Sequence, residues 1–166
     1  AYKNAKKVIK LTRCDAIKLE GGTKVAKIIK YLVDKGIPVM GHVGLLPQSS
    51  VGFTLKGKNF MQRKKILQDA IAVSNSGAFA IVIECVVESL AKKITKSVSI
   101  PTIGIGASKY CDGQILVIDD MLGLSDFFPK FVKRYSNLRE IIDKSIKNYT
   151  KDVKTRRFPS SRNVYK

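Results

Sequence analysis

No stretch of this 166-residue chain approaches the roughly 20 consecutive apolar residues that a membrane-spanning helix needs. The longest apolar run, Ala78 to Val87, is broken by Glu84. Ala1–Leu11 holds no continuous apolar segment of the kind that marks a secretory signal. Cysteine is sparse: Cys14, Cys85 and Cys111 stand far apart, and no CxxC occurs. An odd, scattered count argues against a disulfide framework and against a zinc site, and it suits a reducing cytoplasm. There is one histidine, His42. Acidic residues are few, 13 against 31 basic ones, leaving a net charge of +18. Such an excess fits a nucleic-acid binder. However, Lys outnumbers Arg 24 to 7 and the lysines are spread along the whole chain. Specific readers lean on Arg for bidentate contacts, so a compositional drift toward AT-rich Lys codons is the favoured explanation, and nucleic-acid binding is expected to be incidental.

An apolar fraction of 45% is enough for a folded core. The pattern predicts a helix end at residues 2–12, a short strand Ala16–Glu20 stopped by Gly21-Gly22, and a helix Lys24–Lys35 capped by Thr23 and ended by Gly36. A strand Pro38–His42 follows, then a loop from Gly44 to about Asn59. After it come a helix Phe60–Ser74, a strand Ala80–Glu84, a helix Val87–Ser97, and strands at Pro101–Ile105 and Gln114–Ile118. An amphipathic helix near Leu138–Asp152 precedes a polar tail, Thr155–Lys166, expected to be poorly ordered. Short apolar strands alternating with helices mean a parallel sheet covered by helices. Five strands suit an open doubly wound sheet and equally the last five strands of an eight-stranded barrel.

Three strand ends carry groups that chemistry can use, and in a parallel barrel the working residues sit at those ends. Strands alternate faces with period 2, so Lys18 and Glu20 point one way while Ile17 and Leu19 point the other. An inward Lys and Glu on an apolar strand are costly unless paired or used. Glu84 ends the run Ala-Ile-Val-Ile, where partial desolvation suits a general base. His42, between Gly41 and Val43-Gly44, is a candidate for substrate contact. Two features are set aside. Gly104-Ile-Gly-Ala-Ser-Lys109 starts like a dinucleotide-binding loop but has Lys where the last glycine belongs. Asp119-Asp120 are neighbours and would not converge on a metal from a strand, so a helix cap or turn is expected there.

Taken in order, Ile17-Lys-Leu-Glu-Gly-Gly22, Gly41-His-Val-Gly-Leu45 with Pro47-Gln-Ser49, Ile83-Glu-Cys85, Ile103-Gly-Ile-Gly-Ala107, Asp112-Gly-Gln-Ile-Leu-Val117 and Pro129-Lys-Phe131 resemble ketopantoate hydroxymethyltransferases over roughly Asp15 to Tyr149. The resemblance implies an α/β fold of the (β/α)₈ TIM-barrel type, here an incomplete barrel of about five parallel strands. Residues 1–154 would be the C-terminal portion of that domain and 155–166 a tail. It implies Mg²⁺-dependent transfer of a hydroxymethyl group from 5,10-methylenetetrahydrofolate to 3-methyl-2-oxobutanoate, giving 2-dehydropantoate for pantothenate synthesis, by a cytoplasmic decamer. On the matching positions, Lys18 would hold the substrate with His42 near it, Glu20 would sit at the Mg²⁺, and Glu84 would accept the proton. The family's first three strands, with the aspartates that bind Mg²⁺ directly and a serine that grips the substrate, have no counterpart here. Val87 replaces a usual Pro and Ser108 a usual Gly. The chain opens on Ala1, as a piece of a longer protein would, and by itself is expected to fold poorly or associate and to be inactive.

Overall fold

The computed structural model describes residues 1–50 and 52–165; Val51, in the long loop, and Lys166, at the end of the expected tail, lie outside the described residues. Two compact units divide the chain, Ala1–Ile115 and Leu116–Lys166.

The first unit runs α1 (Tyr2–Thr12), β1 (Ile17–Glu20), α2 (Thr23–Asp34), β2 (Val39–Gly44), α3 (Phe60–Asn75), β3 (Ala80–Glu84), α4 (Glu88–Ser97), β4 (Thr102–Ile105) and β5 (Gly113–Gln114). The five strands form one parallel sheet in sequential order β1-β2-β3-β4-β5. This sequential, helix-covered parallel order is that of part of a TIM barrel, as expected. Among the described residues β1 and β5 do not pair, so both are edge strands.

The two faces of the sheet differ because only one is covered. Val39 and Val43 of β2 and Ile81 and Ile83 of β3 are fully buried in one cluster. Ile29 and Leu32 of α2, Ala70 and Val73 of α3, and Leu90, Ala91 and Ile94 of α4 complete it. Each large aliphatic side chain closed off in this way contributes roughly 1.5–3 kcal/mol. Ile17 and Leu19 pack against the same cluster, which turns Lys18 and Glu20 to the other face as their alternation required. Gly41 is the point of closest approach: a Cβ there would lie 2.2 Å from Cγ1 of Val73, so only glycine lets α3 settle on β2. On the opposite face, Met40, Ile103 and Ile105 remain half-buried.

Three expectations are corrected. Thr23 does not cap α2; Gly22 holds that place. Asp69 of α3 accepts from the backbone N–H and the hydroxyl of Thr23, each at 2.9 Å, and so performs the capping from another element. The fifth strand is two residues long instead of five. The Asp112 carboxylate accepts from the N–H and hydroxyl of Thr102, each at 2.8 Å, and ties the start of β5 to β4. Beyond Gln114 no further strand of the described residues offers a partner, and Ile115, Val117 and Ile118 stay exposed despite their β-branched preference.

In the second unit, α5 (Ile118–Leu122) opens with Asp119 and Asp120 in its first turn, the turn reading expected of that pair. Helix α6 (Leu138–Lys154) follows. The third correction concerns the tail, which has local structure. Phe158 packs edge-on against Tyr149 of α6, with ring centroids 5.5 Å apart, and a 3₁₀ turn at Ser161–Asn163 is closed by a capping box between Ser160 and Asn163. Among the described residues no helix is long and apolar enough to cross a membrane.

Candidate active site

Parallel pairing puts the candidate residues side by side. Glu20 is level with His42, and Gly44 is level with Glu84. All of them lie at the C-terminal ends of three adjacent strands, where a parallel α/β sheet places its chemistry. The structure brings all four sequence candidates into one cluster centred on the imidazole. Nδ1 of His42 is 3.3 Å from Nζ of Lys18 and 3.8 Å from Oε1 of Glu20. Nε2 stands 3.2 Å from Oε2 of Glu84, off the line that a hydrogen bond needs, and is a buried nitrogen without a hydrogen-bond partner. His42 is only 1% exposed, Glu84 7%, and Lys18 is exposed. The amine is thus the member of the group that an incoming ligand meets most openly, and the ring is the one it meets least.

Backbone constraints hold the carboxylates in place. Oε2 of Glu20 accepts from the Gln48 N–H at 3.1 Å, so the long loop after β2 closes over β1. The Glu84 carbonyl accepts from Leu45 N at 2.8 Å. Gly44 makes that contact possible with φ +98°, since a Cβ there would lie 2.2 Å from the Glu84 carbonyl oxygen. Cys85, next along, has φ +49°, an uncommon value for a residue with a side chain. Its N–H donates to Ile105 and its carbonyl accepts from Lys56 N at 2.7 Å. Burial, reinforced by the charge of Glu84 and opposed by that of Lys56, pushes the Cys85 thiol up to about 11, so it is a poor nucleophile. Gln48, Lys56 and Gly44 as a spacer were not singled out from sequence. Gln48 acts here through its backbone N–H, which leaves no trace in residue type, and Lys56 through both its N–H and its charge.

Gly104 and Ile105 end β4, residues 106–109 run on as bends and turns, and no helix begins there to receive a phosphate, in keeping with the segment's rejection as a dinucleotide loop. The donor set for a divalent cation is sparse. Glu20 is the one expected metal residue, and among the described residues no group of three or more His, Cys, Asp or Glu could hold a metal ion. Mg²⁺ often takes one or two carboxylates and completes its octahedron with water and substrate oxygens. Glu20 fits as one such donor, but the described residues do not form a full protein cage.

The family model for ketopantoate hydroxymethyltransferase matches residues 1–161. Among curated proteins, the chain is 54% identical over 165 residues to a 3-methyl-2-oxobutanoate hydroxymethyltransferase of Pelagibacter ubique, covering 99% of this chain and 64% of that protein. It is 53% identical to the protein of the same name from Phenylobacterium zucineum, covering 99% of this chain and 61% of the relative. The counterpart from Bartonella bacilliformis is 52% identical, with 100% of this chain and 62% of the relative covered. The chain therefore spans about three-fifths of the length of the curated relatives it matches. With a matching motif order, a matching strand order and a family model that covers nearly every residue, the chain belongs to the ketopantoate hydroxymethyltransferase family.

Proposed function

We propose that this chain carries part of the active site of a 3-methyl-2-oxobutanoate hydroxymethyltransferase, which moves a hydroxymethyl group from 5,10-methylenetetrahydrofolate to 3-methyl-2-oxobutanoate and yields 2-dehydropantoate for pantothenate synthesis. The observation that carries this reading is the convergence of Lys18, Glu20, His42 and Glu84 on one face at three adjacent strand ends. The substrate is a 2-oxo acid with a negative carboxylate. Exposed Lys18 pairs with its anionic oxygens and orients it, with His42 close beneath. Glu84, which is buried at the end of β3, takes the proton from C3. The electron pair released at C3 then bonds to the one-carbon unit of the folate; both bonds from that carbon to folate nitrogens break, water supplies the hydroxyl, and tetrahydrofolate leaves. Glu20 would hold a magnesium ion, which would supply Lewis-acid polarisation of the keto oxygen. Assembly into a homo-oligomer, a decamer by the family resemblance, and a cytoplasmic location belong to the same proposal.

The half-buried inner face and the two edge strands support the view that these residues alone do not complete the site. The test is hydrogen exchange at C3 of 3-methyl-2-oxobutanoate in D₂O with Mg²⁺, followed by NMR. It compares the chain alone with a chimera that adds the part of the Pelagibacter ubique relative not matched by this chain. The chimera is expected to exchange and the chain alone is not. Glu84→Gln in the chimera should slow exchange about 10²–10⁴-fold. Undiminished exchange in that variant would remove Glu84 as the base, and normal turnover by the chain alone would refute the incomplete-site reading.

A further inference from the structure

We infer that Lys18 fixes the tautomer of His42 with its hydrogen on Nε2, so that the imidazole serves as a positioning residue for Glu84. The hydrogen assignment stands on geometry alone; its consequence for Glu84 rests on the base role proposed above.

The ring is sealed, at 1% exposure, so solvent does not decide where its hydrogen sits. Its two nitrogens have different neighbours. Nδ1 has Nζ of Lys18 at 3.3 Å. A lysine side chain brings donors, so Nδ1 must be the acceptor in that contact. Glu20 does not compete for a hydrogen on Nδ1. Its Oε1 is 3.8 Å away, beyond hydrogen-bond range, and its Oε2 is engaged by the Gln48 N–H. A neutral imidazole with an accepting Nδ1 carries its hydrogen on Nε2.

That N–H faces Oε2 of Glu84 at 3.2 Å. It has no aligned acceptor, and a buried donor left in this state is costly. A purely structural histidine would have both nitrogens satisfied. Here the second nitrogen is left against one carboxylate oxygen, and a small rotation of the Glu84 side chain completes a charge-assisted bond. Once that bond closes, one carboxylate oxygen is held and the other is free, and the held one limits the orientations from which the free one reaches a substrate proton. Lys18 thereby influences Glu84 across two strands through the ring between them. This makes the histidine an internal strut between the two side chains.

His42 is the chain's one histidine, so its nitrogens are read without ambiguity in long-range ¹H–¹⁵N correlation spectra of histidine-labelled protein. At neutral pH the expected pattern is a protonated Nε2 and an unprotonated Nδ1. Lys18→Met should give a mixture of tautomers, and Lys18→Arg, which keeps a donor, should retain the single form. Glu84→Gln should move the Nε2-bound hydrogen signal upfield as the charged acceptor is lost. A hydrogen on Nδ1 in the unmodified chain, or on both nitrogens, overturns the inference without recourse to any variant. So does a Lys18→Met spectrum identical to the parent, or an Nε2-hydrogen signal indifferent to Glu84→Gln. The outcome is separable from the proposed reaction: a wrong tautomer beside intact C3 exchange removes only this inference, and the expected tautomer without exchange removes only the reaction.

Discussion

Replacing Gly44 with alanine probes how tightly the end of β2 is held against β3. The residue has φ +98°, and a Cβ would meet the Glu84 carbonyl oxygen at 2.2 Å and Val86 Cγ2 at 2.6 Å. Ordinary contact begins at 3.4 Å, so the two backbones must part by about an ångström. The obstacle is backbone and cannot turn aside as a flexible side chain would. Three costs follow. The left-handed backbone is worth about 1 kcal/mol against alanine. Overpacking of this kind costs about 1–3 kcal/mol. The Leu45 N–H to Glu84 carbonyl bond, now 2.8 Å, is weakened or lost at about 1 kcal/mol. The expected loss is about 3–5 kcal/mol, a large share of the stability of an ordinary domain. Gly36→Ala is the matched control, because Gly36 also has positive φ, +76°, but nothing lies within 4 Å of its would-be Cβ. It should lose only the backbone part, about 1 kcal/mol. Urea denaturation followed by circular dichroism measures both. A difference of about 2–4 kcal/mol, or a Gly44→Ala chain already unfolded without urea, supports the reasoning. Equal losses within about 0.5 kcal/mol would show that the β2–β3 junction yields freely and that Glu84 is not rigidly placed.

Two further outcomes follow from the perturbed groups. The hydrogen bonds from the Thr102 backbone and hydroxyl hold the Asp112 carboxyl below its ordinary value of 3.8. The stability it supplies is therefore complete above that value and is lost as the pH falls through the lower folded value. Urea midpoints from pH 7 to 3 should decline less steeply at the acid end in Asp112→Asn than in the parent, and parallel profiles would contradict this. The Cys85 thiol, at about 11, should resist iodoacetamide at pH 8 in the native chain together with buried Cys111, while half-buried Cys14 is labelled; peptide mapping that finds Cys85 modified before unfolding would refute the assignment.

Much of the fold was legible because short-range periodicity and burial coincide. The strand Ala80–Glu84 was read to the residue, since all five of its positions are buried and bounded by turns. The shared face of Lys18 and Glu20 followed from the two-residue repeat alone, and so did the burial of Ile17 and Leu19 beneath the helices. The ordered motifs identified the family, because residue types at fixed spacing are what a sequence records directly. Tertiary structure decided what depends on partners remote in the chain. Apolar Ile115–Ile118 did not extend the strand: pairing with β4 stops after the Ile115 N–H bonds Gly104, and Ile118 opens α5. Asp69, forty-six residues away, took the capping role expected of Thr23. Nothing in the order of residues placed the imidazole of His42 between Lys18 and Glu84, or showed that its Nε2 would be left without a bond. Those contacts arise from parallel register between strands that the chain joins only through intervening helices, and register is a property of the packed sheet.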